Sequence, residues 1–202
     1  MKLKKLVAIT LSAVMCMAAL TGCGGKSDSA KKTAKVIEVD LTDEQYAFGV
    51  DKDQPDLLKE VNQFVADMKS DGTFDEVCNH YFGDGTPVPV KSATYDESKD
   101  QLVVATNAAF EPFEYMDGEN YVGIDMEIAK ALADKLGKEL VIQNMDFDAV
   151  CLSVGQHKCD VAMAGLTIKP DREEYVAFSD PYYSASQKLI TLSTDTEFDA
   201  CK

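Results

Sequence analysis

The chain changes rhythm at residue 101, and this change limits its architecture more than any other feature. Leu102-Val103-Val104-Ala105 is an apolar, β-branched run of strand length. Residues 124–136 follow with Ile128, Leu132 and Leu136 on one helical face, Asp125 as the expected cap, an Ile124/Ile128 staple and Gly137 as the stop. Leu140-Val141-Ile142 reads as a second strand, 148–154 as a short helix, and Val161-Ala162-Met163-Ala164 as a third strand. Parallel strands need a crossover element between them, so this alternation predicts an α/β fold, a mostly parallel sheet flanked by helices. Ligands of such sheets sit at the carboxyl ends of the strands. Three loops, at 106–115, 145–148 and 165–172, therefore become the places to look for function.

Upstream of that region, Leu57, Leu58, Val61, Phe64, Val65 and Met68 have amphipathic helical spacing over 54–71, with Asp53 as the expected N-cap and Gly72 as the stop. Thr73-Phe74-Asp75-Glu76 has the form of a capping box and opens a second helix that runs to Gly83. Tyr46-Ala47-Phe48-Gly49-Val50 reads as a short strand before the helices, and 84–100, with Pro87 and Pro89, as a polar connector after them.

The amino terminus has a different character. Lys2, Lys4 and Lys5 precede an apolar run over 6–20 that is short for a bilayer span and is followed by small residues, the layout of a secretory signal over 1–22. The run ends Leu20-Thr21-Gly22-Cys23, which resembles the lipobox of bacterial lipoproteins. That resemblance implies cleavage before Cys23, a palmitate-type lipid anchor on its sulfur, and a polar tether over 23–35. A chance cysteine behind an ordinary signal is the competing reading. The formal charge is −15 for the chain and −18 from Cys23 onward, which disfavours nucleic acid and anionic lipid as partners. Outside the cytoplasm Cys78, Cys151, Cys159 and Cys201 have two fates, pairing (Cys151 with Cys159 being closest) or remaining as separate thiols. No CxxC occurs, and His80 and His157 lack ligand spacing, so no metal site is expected.

The loop after the third strand, Gly165-Leu166-Thr167-Ile168-Lys169-Pro170-Asp171-Arg172, contains the only arginine of the chain and leads into an expected helix at 173–176. A glycine lets backbone amides approach a ligand, Thr167 adds an amide and a hydroxyl, and the guanidinium fork matches a carboxylate through two parallel hydrogen bonds. The combination predicts a carboxylate seat. A solvated turn with Arg172 paired to Asp171 or Glu173 is the alternative, and lysine would be a poor substitute where bidentate geometry matters. In the first loop Asn107 offers an amide and Phe110 an apolar wall, while Phe113 and Tyr115 read as core plugs. Phe147 in the second loop supplies an opposing wall.

Several stretches together, Leu102 through Tyr115, Tyr121-Val-Gly-Ile-Asp-Met-Glu-Ile-Ala, Met145-Asp-Phe-Asp, Asp160 through Arg172, and Phe178-Ser-Asp-Pro-Tyr-Tyr, resemble the first lobe of the amino-acid-binding extracellular solute-binding proteins of ABC importers. The resemblance implies a single Rossmann-like lobe of a type II periplasmic-binding-protein fold. It places the ligand α-carboxylate on Arg172, Gly165 and Thr167, and the ligand side chain between Phe110 and Phe147. Ala164, through its carbonyl, and Asn107 join the set. His157 departs from the family, which usually turns there with glycine.

Tyr46-Ala-Phe-Gly-Val-Asp-Lys and Asp71-Gly-Thr-Phe-Asp-Glu to His80-Tyr-Phe-Gly resemble the same family's carboxyl-terminal piece, here placed first. The implied order is a permuted piece at 36–83, the connector 84–100, the amino-terminal piece of the lobe at 101–191 and a crossover stub at 192–202. The second lobe, which would supply an acid for the ligand ammonium, is expected to be missing.

The resemblance implies a lipid-anchored, extracytoplasmic binding component at the bacterial cell membrane. Such a component delivers a small polar amino acid to an ABC permease and uses no cofactor, catalytic residue or metal. Two alternatives accompany it: a truncated lobe unable to hold ligand, and a dehydratase-type enzyme on the same fold. For the enzyme the only candidate groups are Glu111 and Asp148, both better read as solvated loop charges.

Overall fold

Leu102, Val103, Val104 and Ala105 are each nearly inaccessible to solvent, which is possible only for a strand covered on both faces. The computed structural model describes residues 33–197 and residue 200; the expected signal segment, its Cys23 anchor and Cys201 lie outside the described residues. Within them the elements in chain order are β1 (Ala34–Val36), β2 (Glu44–Tyr46), β3 (Gly49–Asp51), α1 (Pro55–Asp71), α2 (Thr73–Phe82), β4 (Gln101–Thr106), β5 (Ala109–Phe110), β6 (Glu114–Asp117), β7 (Asn120–Val122), α3 (Ile124–Leu136), β8 (Glu139–Asn144), α4 (Phe147–Gly155), β9 (Val161–Ala162), α5 (Pro170–Glu173), β10 (Val176–Phe178), β11 (Tyr183–Ala185) and β12 (Ile190–Leu192).

The main sheet has the order β10-β3-β9-β4-β8. The two pairings of β4, with β8 and with β9, are parallel, as the strand–helix alternation requires. The expectation of a mostly parallel sheet needs correction, because β3 runs antiparallel to both β9 and β10 and makes the sheet mixed. β3 comes from the permuted piece at 36–83 and sits between two strands of the piece at 101–191, so the two pieces share one sheet. Successive residues of β4 point to opposite faces. Leu102 and Val104 meet Val61, Phe64, Val65, Met68, Ile128 and Leu132 of the layer formed by α1 and α3, while Val103 and Ala105 meet Val150 and Val154 of α4. No helix among the described residues is long and apolar enough to cross a membrane.

Several local expectations give way to specific contacts. The expected strand 46–50 is broken at Ala47 and Phe48, whose N–H groups donate to the Leu166 carbonyl and to Ser179 Oγ instead of to one neighbouring strand. Asp53 does not cap α1, whose first residue is Pro55; the Asp53 N–H donates to Asp51 Oδ1. Thr73 lies inside α2 after a left-handed Gly72 (φ 90°), so no capping box forms. Asp125 is no cap either, being fully buried in the first turn of α3. The expected helix at 173–176 is α5, ending at Glu173, with Val176 already in β10. Residues 34 and 35, expected in the tether, pair with β12. The connector packs as well: Val90 is buried and pairs with Tyr121. Cys151 and Cys159 are buried, separate thiols.

His157 occupies the left-handed region with φ 59°. Its Nδ1 lies 2.8 Å from Asp51 Oδ2, a bond that raises the imidazole above its ordinary pKa and joins α4's end to β3. The bond offsets the strain at a position better suited to glycine.

Candidate functional site

The carboxyl end of β4 delivers Asn107 to the rim of the sheet, and the turn after it carries β5 with Phe110. Asn107 Nδ2 donates to the Met145 carbonyl at 2.7 Å and the Ala108 N–H to Asn144 Oδ1 at 2.9 Å, so the first and second loops are fastened to one another. That amide hydrogen bond is spent within the protein, which weakens the expectation that Asn107 offers its amide to a ligand. Phe110 stacks on the buried Phe113 at 5.5 Å between centroids and remains 43% exposed. Phe147, at the start of α4, is 40% exposed. The two rings with the highest exposure in these loops are therefore the two expected as walls, while Phe113 serves as the core plug.

The third loop begins at Gly165, with φ 52°, where a side chain would be strained. A Cβ there would also lie 2.9 Å from Phe110 Cε1, so the ring packs directly over the glycine. The Gly165 N–H donates to Asp125 Oδ2 at 2.8 Å, and Tyr182 Oη donates to Asp125 Oδ1. The Gly165 amide, expected as a ligand donor, is thus already satisfied from beneath. Thr167 pairs with Tyr46 in an isolated antiparallel bridge. The two bonds of that bridge run from Ala47 N–H to the Leu166 carbonyl and from Ile168 N–H to the Gln45 carbonyl. Among the described residues the Thr167 N–H itself makes no hydrogen bond, and it is one of the loop's uncommitted main-chain donors, together with those of Leu166 and Lys169.

Arg172 lies in α5. Its Nη1 donates to the Thr167 carbonyl at 2.8 Å and its Cζ lies 5.0 Å from the centroid of Phe147, a cation–π arrangement. The alternative pairing with Asp171 or Glu173 is not formed; Asp171 Oδ1 accepts only the Arg172 backbone N–H. A guanidinium has five N–H donors, so four remain for other partners, and the aromatic stack with the Thr167 carbonyl fixes its plane.

Asn107, Phe110, Phe147, Ala164, Gly165, Thr167 and Arg172 all line one cavity of about 410 Å³. Glu44, Tyr46, Lys169 and Gln187 line it too, and sequence reasoning missed them. Glu44 Oε2 accepts from Thr167 Oγ1 at 2.8 Å, and its Oε1 accepts from Thr42 Oγ1 at 3.0 Å and Gln187 Nε2 at 2.8 Å. The Thr167 hydroxyl, expected for the ligand, is therefore committed to Glu44. These bonds, that of Thr167 foremost, hold the Glu44 carboxyl below its ordinary pKa despite partial burial. The available clue to Glu44 was its place two residues before Tyr46 in the Tyr-Ala-Phe-Gly stretch; no motif marks it. Glu111 and Asp148 are exposed, and neither lines this cavity.

Beneath the loop lies a buried acid pair. Asp125 and Glu114 are both inaccessible, and among the described residues neither carboxyl oxygen of Glu114 has a hydrogen-bond partner. Burial, reinforced by the nearby Asp125 charge, pushes Glu114 far above the ordinary carboxyl range, so it is held neutral at pH 7.

Residues 102–198 match the family described as bacterial extracellular solute-binding proteins, family 3. Among curated relatives, the arginine-binding extracellular protein ArtP of Bacillus subtilis is 40% identical over 96 residues, 48% of this chain and 38% of ArtP. A probable ABC transporter arginine-binding protein, ArtJ, of Chlamydia trachomatis is 36% identical over 99 residues, 48% of this chain and 38% of ArtJ. A cyclohexadienyl dehydratase of Pseudomonas aeruginosa is 33% identical over 95 residues, 46% of this chain and 35% of the enzyme. The chain thus spans well under half the length of these relatives.

Proposed function

We propose, for a chain whose residues 102–198 are a segment of the bacterial extracellular solute-binding proteins, family 3, that it captures a free amino acid outside the cytoplasm for an ABC permease. The observation that carries this reading is the geometry of one cavity. A guanidinium with four uncommitted donors and the uncommitted Thr167 N–H stand beside two exposed aromatic rings. A carboxylate accepts well from such donors, and the rings offer apolar faces to the ligand's side chain. Two relatives named for arginine make arginine the first ligand to test. The permuted order is supported by β3, which completes the sheet from the amino-terminal side. Anchoring through lipid on Cys23 completes the proposal and keeps the receptor beside its permease.

The dehydratase among the relatives raises a second reading. Catalysis needs a positioned acid or base. The cavity's one carboxylate, Glu44, is held ionised by three donors and is better suited to accept hydrogen bonds than to shuttle protons. A thermal-shift panel of the twenty amino acids on the full chain and on Arg172→Ala separates the outcomes. Stabilisation by one or more amino acids that vanishes in the variant supports the receptor. No shift from any amino acid in the unmodified chain refutes it, and turnover of prephenate or arogenate supports the enzyme.

A further inference from the structure

The second lobe is the expected source of an acid for the ligand ammonium, yet the cavity of this lobe already contains one. Glu44 belongs to β2, in the permuted piece at 36–83, and reaches the cavity beside Thr167. A carboxylate presents about four acceptor sites. Thr42 and Gln187 occupy Oε1 and Thr167 occupies one site of Oε2, so Oε2 keeps one site uncommitted. No cation lies within ion-pair distance of Glu44 among the described residues; Lys169, exposed on the rim of the same cavity, adds only a longer-range attraction that helps keep the carboxylate ionised. Arg172, for its part, has no carboxylate partner among the described residues; its side-chain hydrogen bond goes to the Thr167 carbonyl.

Thr167 links these two opposite charges. Its carbonyl accepts from Arg172 Nη1 and its hydroxyl donates to Glu44 Oε2, each at 2.8 Å. Its N–H makes no hydrogen bond among the described residues. A positive and a negative group held on either side of one residue complement a molecule whose carboxylate and ammonium are separated by a single carbon. Ala164 lines the same cavity, and its carbonyl accepts no hydrogen bond among the described residues.

We infer that Glu44 accepts the ligand's α-ammonium, so that this lobe by itself holds both charged ends of an amino acid. The inference rests on the receptor reading above and assigns a residue that reading lacks. The three donors around Glu44 fix its orientation before ligand arrives, which keeps the ordering cost of binding low.

The test uses ligand pairs that differ only in the ammonium: L-arginine against guanidinovalerate, and L-glutamine against glutaramate, titrated calorimetrically into the full chain. The unmodified protein is expected to prefer each amino acid over its des-amino partner by about tenfold or more. In Glu44→Gln that preference collapses towards unity while the des-amino ligands bind as before. Glu44→Asp, which keeps the charge on a shorter side chain, retains part of the preference and guards against a fold defect in the first variant. If Glu44 only ties β2 to its neighbours, Glu44→Gln weakens both members of each pair equally, and the inference is overturned. A preserved preference in Glu44→Gln, together with loss of all binding in Arg172→Ala, removes the role of Glu44 and leaves the receptor reading intact. If neither member of either pair binds the unmodified protein, both fall.

Discussion

Replacing Glu114 by glutamine removes a proton that the fold is obliged to hold. The carboxyl group is inaccessible, neither oxygen has a partner among the described residues, and its pKa is pushed from the ordinary 4.5 up to about 11 by burial first and by the Asp125 charge second. Above pH 4.5 the unfolded chain releases this proton and the folded chain keeps it. The folded state therefore binds more protons, and stability falls as pH rises from the unfolded value towards the folded one. The slope is about 1.4 kcal/mol per pH unit. Between about pH 5.5 and pH 8.5 the wild type should lose about 4 kcal/mol from this group alone. His157 and Asp125, whose carboxyl burial pushes up to about 6, change stability in the same direction and are present in both proteins, so the difference between wild type and Glu114→Gln reports Glu114 together with its interaction with Asp125. Urea denaturation at four pH values across that interval measures it. The expected result is a gap that shifts in favour of the variant by about 4 kcal/mol across the range. Parallel stability curves would show that Glu114 is ionised in the folded protein and would refute the argument.

Gly165→Ala should cost about 1–2 kcal/mol of stability from the left-handed φ alone. Its Cβ also displaces the Phe110 ring 2.9 Å away, so amino-acid binding should weaken as the melting point falls by several degrees; unchanged calorimetry and melting would contradict this. His157→Gly relieves backbone strain but loses the bond to Asp51. The folded-state pKa of His157 is raised by that bond, so its contribution is complete below the ordinary 6.5 and is lost as pH rises through the folded value. Melting curves should accordingly favour the glycine variant more at pH 9 than at pH 5.5, and a gap independent of pH would refute the coupling. Arg172→Lys keeps the charge but loses the planar fork and the Phe147 stack, so binding of an α-carboxylate should weaken by about tenfold; equal affinity would show that charge alone suffices.

The parallel core was legible because its signal is local: β4, β8 and β9 are apolar runs separated by helical spacing, and pattern alone calls for crossovers. α1 was legible for the same reason, with Val61, Phe64, Val65 and Met68 all buried on one face. What the pattern hid were contacts between distant segments. Asp125 reads as a cap by type and position, but Gly165 and Tyr182, 40 and 57 residues away, draw it into the core. The strand at Tyr46 breaks because Ala47 and Phe48 take partners from two different loops. At the site, Phe110, Phe147 and Arg172 stood out by residue type within strand-end loops. Glu44 and Gln187 could not, since each is an ordinary polar residue whose place at the cavity follows from the ribbon that β2 forms with β11.

The most direct test of a carboxylate seat at Arg172 and Thr167 changes the ligand and the protein together. Calorimetric titration of L-arginine and L-argininamide into the full chain and into Arg172→Ala should show binding of arginine to the wild type alone, with both removal of the ligand carboxylate and removal of the guanidinium abolishing most of it and no further loss when the two are combined. Argininamide binding as tightly as arginine, or arginine binding undiminished to Arg172→Ala, would contradict the seat.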